Sequence, residues 1–173
     1  QWGVIMITFH WLSAVTIFGM FGLGLWMVEL GYYDALYHKA PDLHRSIGIT
    51  LLVLTLVRLF WRQFNRRPFP LKTHNHIKQI LAISMHNILY LLLISLMLSG
   101  YLISTADGRS IVVFNVIQMP ALIQGIEYQE DVAGVVHFWL AISLISMVAL
   151  HALATLKHHF IDCDRTLKRM FGF

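Results

Sequence analysis

The chain has 173 residues, of which 57% are hydrophobic and only 13% charged, and a net charge of +4. A soluble domain carries about a quarter charged residues, so the surplus apolar surface has to face lipid, and an ordinary soluble domain is excluded. A single cysteine, Cys163, excludes a disulfide framework and a thiolate metal cluster.

Four apolar stretches predict transmembrane helices, each near the roughly 20 residues that cross the hydrocarbon core. The first covers about residues 4–28. It is too long for a cleavable signal peptide and is followed by three more spans. The second, about 47–61, is shorter and carries Arg58 near its end, where the guanidinium can snorkel to the surface. The third and fourth cover about 80–103 and 132–156. Their length and lack of strict alternation exclude barrel strands. Ala40-Pro41-Asp42, Arg67-Pro68-Phe69-Pro70 and Asp107-Gly108-Arg109 read as turns between the spans. The stretch 111–126, with Pro120, reads as a short interfacial segment covering the outer end. Trp2, Trp11, Trp26, Tyr32, Tyr33 and Trp61 fall near span ends, where aromatic rings anchor helices. The expected fold is all-α: an integral membrane four-helix bundle, up-down-up-down, forming a single domain over residues 1–173.

Charge sets the orientation. Arg58, Arg62, Arg66, Arg67, Lys72, Lys78, Lys157, Arg165, Lys168 and Arg169 lie on one side of the spans, leaving Lys39, Arg45 and Arg109 on the other. Basic residues sort to the cytoplasmic side, so both chain ends are expected there. The outer side is acidic, with Glu29, Asp34, Asp42, Asp107, Glu127, Glu130 and Asp131.

Ten histidines are present, and His10, His44, His86, His137 and His151 lie in or at the edges of spans. Ionisable groups inside a membrane are costly and mark function, and imidazole is a common axial ligand of haem iron. His137 and His151 are fourteen residues apart on the fourth span. Fourteen residues are almost four whole turns, so both rings share one face, roughly 21 Å apart along the axis. One helix can thus serve two porphyrins at two depths. The same spacing recurs in the other spans, joining His44 to Arg58, His10 to Gly24 and His86 to Gly100. A glycine leaves room for a flat macrocycle to approach the backbone. In the outer layer His44 and His137 form the natural pair. In the inner layer His151 has two candidate partners, His10 and His86, which spacing does not separate. The small Ser13 and Ala14 beside His10, against the bulky Tyr90 beside His86, lean towards His10.

The segments Thr8-Phe9-His10-Trp11, Leu43-His44-Arg45-Ser46-Ile47-Gly48, Met85-His86-Asn87, Val136-His137-Phe138 and Ala149-Leu150-His151-Ala152, followed by Lys157-His158-His159, resemble the bacterial cytochrome b561 family over essentially the whole chain. The resemblance implies four helices, two haem b groups with their iron, and electron exchange with membrane quinone in the bacterial inner membrane. It implies His10, His44, His137 and His151 as the iron ligands. It also leaves His86 as a cofactor-site residue that hydrogen-bonds a propionate or lines a site. Arg58 is a candidate to bind a propionate of the inner haem through bidentate hydrogen bonds. His158 and His159 are read with Lys157 as a basic interface for lipid phosphates, with proton donation to a quinone as the alternative. No catalytic role is expected of His38, His74 or His76.

The function expected is therefore a redox enzyme or electron carrier. Bis-histidine ligation fills both axial positions and suits electron transfer. The expected partners are membrane lipid, the quinone pool and an outer electron partner, with no nucleic acid. Some relatives are thought to use superoxide, although the acidic outer loops repel an anion at long range unless Arg45 or Arg109 provides a local basic site. The alternatives are a haem-bearing anchor subunit of a larger redox complex and a histidine-lined transporter of protons or metal ions. The common transporter folds show inverted repeats and broken helices, and neither is visible in the sequence.

Overall fold

Backbone groups in hydrocarbon have no water to bond, so an apolar run of sufficient length closes its hydrogen bonds within itself as a helix. The computed structural model describes residues 3–64, 76–164 and 166–171. It contains α1 (Val4–Met27), α2 (Lys39–Phe64), α3 (His76–Ser104), β1 (Ile111–Val113), β2 (Ile117–Met119), α4 (Gln129–Phe160) and α5 (Thr166–Arg169). The first four helices are long and apolar enough to cross a membrane, and they form the expected bundle. The Arg67-Pro68-Phe69-Pro70 turn lies outside the described residues. Large side chains such as Val15, Phe60, Leu91 and Leu153 are more than 60% exposed, as befits a lipid-facing surface.

The second helix departs most from expectation. It is 26 residues long and starts at Lys39, so Ala40-Pro41-Asp42 is its first turn and not a connecting loop. Proline is tolerated there because an N–H in the first turn has no helical acceptor anyway. Asp42 in that turn suits the positive end of the helix dipole. This extension carries His44 on a continuous helix and not at a frayed span edge.

The centre of the bundle is a layer of apolar side chains. Leu51, Leu52, Leu93, Met97 and Leu144 are buried together, with Ile17 packed against them. Four of these share one register. Ile17 lies midway between His10 and Gly24, Leu51 between His44 and Arg58, Leu93 between His86 and Gly100, and Leu144 between His137 and His151. Seven residues are close to two turns, so each helix sends one aliphatic side chain to the same face at half depth. Leu144, at 2% exposure, is the most enclosed of them.

At the outer end the segment after α3 is more ordered than an interfacial coil. β1 and β2 pair antiparallel, Ile111 opposite Met119 and Val113 opposite Ile117. Phe114 and Asn115 between them take positive φ, 48° and 60°, the conformation of a type I′ turn. Ile111 and Val113 pack on Ile49 of α2, and the Phe114 amide donates to Ser46 Oγ at 3.1 Å. Buried Thr105 donates to the carbonyls of Tyr101 (2.9 Å) and Ile123 (3.3 Å). Gln129 Nε2 donates to those of Leu102 (2.9 Å) and Ile123 (3.2 Å). These bonds fold 111–126 into a cap anchored to α2, α3 and α4.

At the opposite end, where the chain begins and ends, α1 and α4 touch each other little. The C-terminal segment crosses between them: Trp11 Nε1 donates to the Met170 carbonyl at 2.8 Å, and the Trp11 and Phe171 rings stack with centroids 5.0 Å apart.

Candidate functional site

The histidines meet in the two layers that their spacing predicts. In the outer layer the ring centroids of His44 (α2) and His137 (α4) are 6.3 Å apart, with planes inclined at 70°. In the inner layer His10 (α1) and His151 (α4) are 6.5 Å apart at 65°. His86 (α3) stands 5.3 Å from the same His151. Arg58 joins the inner layer, close enough for its charge to act on His10 and His86.

The outer pair is held from several sides. His137 Nδ1 lies 3.0 Å from the Leu96 carbonyl and 3.1 Å from Ser99 Oγ, and Ser99 itself donates to Leu96 O at 2.7 Å. With Nδ1–H bonded to a carbonyl, Nε2 is the nitrogen left with a lone pair, which is how a metal-bound imidazole is usually oriented. A Cβ added at Gly100 would stand 3.1 Å from His137 Cε1, and one at Gly24 would stand 3.3 Å from His44 Cε1. The two glycines therefore sit at the predicted depth, and an imidazole ring stands against each of them. His44 Nδ1 is buried with no hydrogen-bond partner among the described residues. Buried polar nitrogens are nearly always partnered, so a further group belongs beside this ring.

Two imidazoles that would hold one iron between them need a defined separation. A metal–imidazole bond of about 2.0 Å and ~1.15 Å from nitrogen to ring centre give roughly 6.3 Å between centroids. The His44–His137 and His10–His151 distances match this, whereas His86–His151 is about 1 Å too short. His86 Nδ1 also bonds the Ala82 carbonyl one turn back, at 2.7 Å. A ligating histidine can make the same bond. The residues present thus fit two bis-histidine haems.

Arg58 and Arg62 both lie over the Tyr90 ring, at 5.6 and 5.7 Å from its centroid, and Arg58 Nε is buried without a partner among the described residues. Two guanidiniums on one ring repel each other, and an anion such as a propionate would relieve both. On the outer face Arg45 pairs with Asp42 and Arg109 with Asp107. Asp107 is held below the usual carboxylate range by its hydrogen bonds from Arg109. Neither arginine therefore presents an uncompensated charge to an incoming anion.

Beyond α4, Asp162 gathers the charged groups at the termini end. It accepts from Lys78 Nζ of α3 at 3.1 Å and Lys157 Nζ at 3.4 Å, and His158 Nδ1 is 2.7 Å away. The hydrogen bond from Lys78, then that from His158, pulls its carboxyl pKa down from 3.8 to about 2. Sequence reasoning passed over Asp162, although its place four residues after His158 on a helical path was a usable signal. Ser99 and the Leu96 carbonyl could not be found that way, since they reach His137 from another helix. His74 lies outside the described residues, and His76 opens α3 without joining either layer.

The family model described as prokaryotic cytochrome b561 matches residues 1–173. The chain is 51% identical to cytochrome b561 homolog 2 of Escherichia coli (strain K12) over 172 residues, 99% of this chain and 92% of that protein. It is 30% identical to a probable superoxide oxidase, CybB, of Yersinia pestis over 174 residues, 98% of this chain and 95% of that protein.

Proposed function

The chain belongs to the prokaryotic cytochrome b561 family, and from that premise we propose that it carries two b haems, one held by His44 and His137 and the other by His10 and His151. Membership makes it a multi-pass protein of the bacterial inner membrane with the electron-transfer role of a membrane cytochrome b. The observation that carries the two-haem reading is the pair of centroid distances, 6.3 and 6.5 Å, at two depths on α4. A bound haem supplies a one-electron couple, and two in line across a bilayer supply a path. The chain's own residues orient the imidazoles and keep water out between the layers through Ile17, Leu51, Leu93 and Leu144. Arg58 and Arg62 would meet the propionates of the inner group, and His86 would stand beside it without ligating. The path links membrane quinone at the face bearing the termini to an electron partner at the outer face. Superoxide is the outer donor suggested by the Yersinia relative's name. The seven outer carboxylates, together with the pairing of Arg45 and Arg109, argue against long-range attraction of a small anion.

The test is spectroscopic. The purified protein should show two b-type components in its reduced-minus-oxidised spectrum. His44→Ala and His137→Ala should remove the same component, and His10→Ala and His151→Ala the other. His86→Ala should retain both. A folded but colourless protein would sink the reading, and loss of the inner component in His86→Ala with its retention in His10→Ala would reverse the ligand assignment.

A further inference from the structure

A serine inside a membrane span satisfies its hydroxyl on a carbonyl about one turn back. Ser99 of α3 does this, donating Oγ–H to the Leu96 carbonyl at 2.7 Å. Its one hydrogen is thereby committed, so towards any other group Oγ is an acceptor. Ser99 is 5% exposed, and what it meets is His137 of α4, whose Nδ1 stands 3.1 Å from Oγ. The Leu96 carbonyl lies 3.0 Å from the same nitrogen. One Nδ1–H therefore faces two oxygens, both supplied by α3. Gly100, the next residue, permits this approach, since a Cβ there would stand 3.4 Å from Nδ1. Across the layer, His44 Nδ1 has no hydrogen-bond partner among the described residues. The two outer imidazoles are thus unequal donors.

We propose that Ser99 is a positioning residue for His137 that sets the redox potential of the outer haem, through the second hydrogen bond it accepts from Nδ1–H; this rests on the two-haem reading above. An imidazole N–H that donates to oxygen leaves more electron density on the ring, and Nε2 becomes the more basic nitrogen. A more basic axial nitrogen favours ferric over ferrous iron and so lowers the potential, and hydrogen bonding to the ligand is one of the levers a protein has on a haem. The bond of Ser99 to Leu96 polarises the hydroxyl and makes Oγ the better acceptor in these apolar surroundings. No proton changes hands, because Nδ1–H stays on His137 in both oxidation states. Ser99 does not reach the inner layer, which lies beyond Leu93 and Leu144, so its effect is confined to the outer component.

The experiment is a redox titration of the full-length, haem-loaded protein in detergent, with both b-type components followed optically. The outer component is the one missing from His44→Ala. Ser99→Ala should raise its midpoint, so that at a fixed ambient potential its ferrous-to-ferric ratio grows about tenfold, the equivalent of about 59 mV for a one-electron couple. The inner midpoint should stay in place. Ser99→Thr keeps the hydroxyl and should restore the wild-type value. An unchanged or lowered outer midpoint in Ser99→Ala, or an equal shift of both components, would overturn the proposal. So would a shift in Ser99→Thr as large as that in Ser99→Ala, because packing and not the hydroxyl would then be responsible. Should Ser99→Ala lose the outer haem, Ser99→Cys decides: its thiol is close in size and a weak acceptor, and it should raise the outer midpoint in the same direction. An unmoved midpoint there, or loss of the outer haem in that variant too, would sink the idea, since the serine would then hold the ligand without tuning it. If the unmodified protein lacks two b-type components, the haem reading itself falls.

Discussion

At the scale of single residues, the outer histidines are confined by what their neighbours lack. Gly24 and Gly100 each face an imidazole ring, and the clearance at Gly100 is the smaller, 3.1 Å against 3.3 Å. A methyl group there presses on His137, whose ring is already held by Leu96 and Ser99 and has little freedom to move. No such bond holds His44 Nδ1 among the described residues, and the clearance at Gly24 is the larger. Gly100→Ala should therefore disturb the outer haem more than Gly24→Ala. Overpacking of this kind costs roughly 1–3 kcal/mol. Haem content and the outer spectral component of the two variants would check the order, and an unperturbed Gly100→Ala would show that α3 and α4 separate more easily than their packing suggests.

At the scale of elements, α4 is the spine of the molecule. It contributes one histidine to each layer, and its Leu144 lies between them in the apolar septum. Helices in lipid gain little from hydrophobic transfer, so close packing carries the association. Leu144→Ala would leave a cavity at the point where α2, α3 and α4 meet, at a cost of about 2 kcal/mol or more. Thermal release of haem should occur at lower temperature in this variant, with both b-type components still present at rest. Loss of a single component would mean that the septum supports one layer more than the other. The α1–α4 seam is the contrasting element. It is lightly packed, bridged by the His10–His151 pair and strapped at its end by Trp11, Met170 and Phe171.

At the scale of the whole molecule, the two layers acquire direction from the membrane. Ten of the thirteen basic residues lie at the end bearing the termini, which orients that end to the cytoplasm. A reporter fused after Phe173 or inserted near Lys72 should read cytoplasmic, and one near Gly108 external. On the proposed reading, a reversed reporter would exchange the inner and outer histidine layers and move the proposed quinone face to the opposite side of the membrane.

The four spans, their order and the two depths were determined by the sequence itself, because hydrocarbon thickness fixes helix length and a helical repeat fixes which residues share a face. His137 and His151 could be paired with a depth on that ground alone. Leu51, Leu93 and Leu144 obey the same repeat, but an apolar residue in an apolar span carries no contrast, so the septum was invisible until the helices were packed. The start of α2 at Lys39 was hidden for a different reason. Pro41 is a turn signal in a linear reading and a tolerated first-turn residue in a helix, and the environment around it selects between the two. The choice between His10 and His86 likewise lay beyond spacing, since both have the same depth and the same glycine fourteen residues on. Only the tertiary arrangement gives them different distances to His151, 6.5 Å and 5.3 Å, because separation across a bundle depends on how the helices approach one another and is not encoded in position along any one of them.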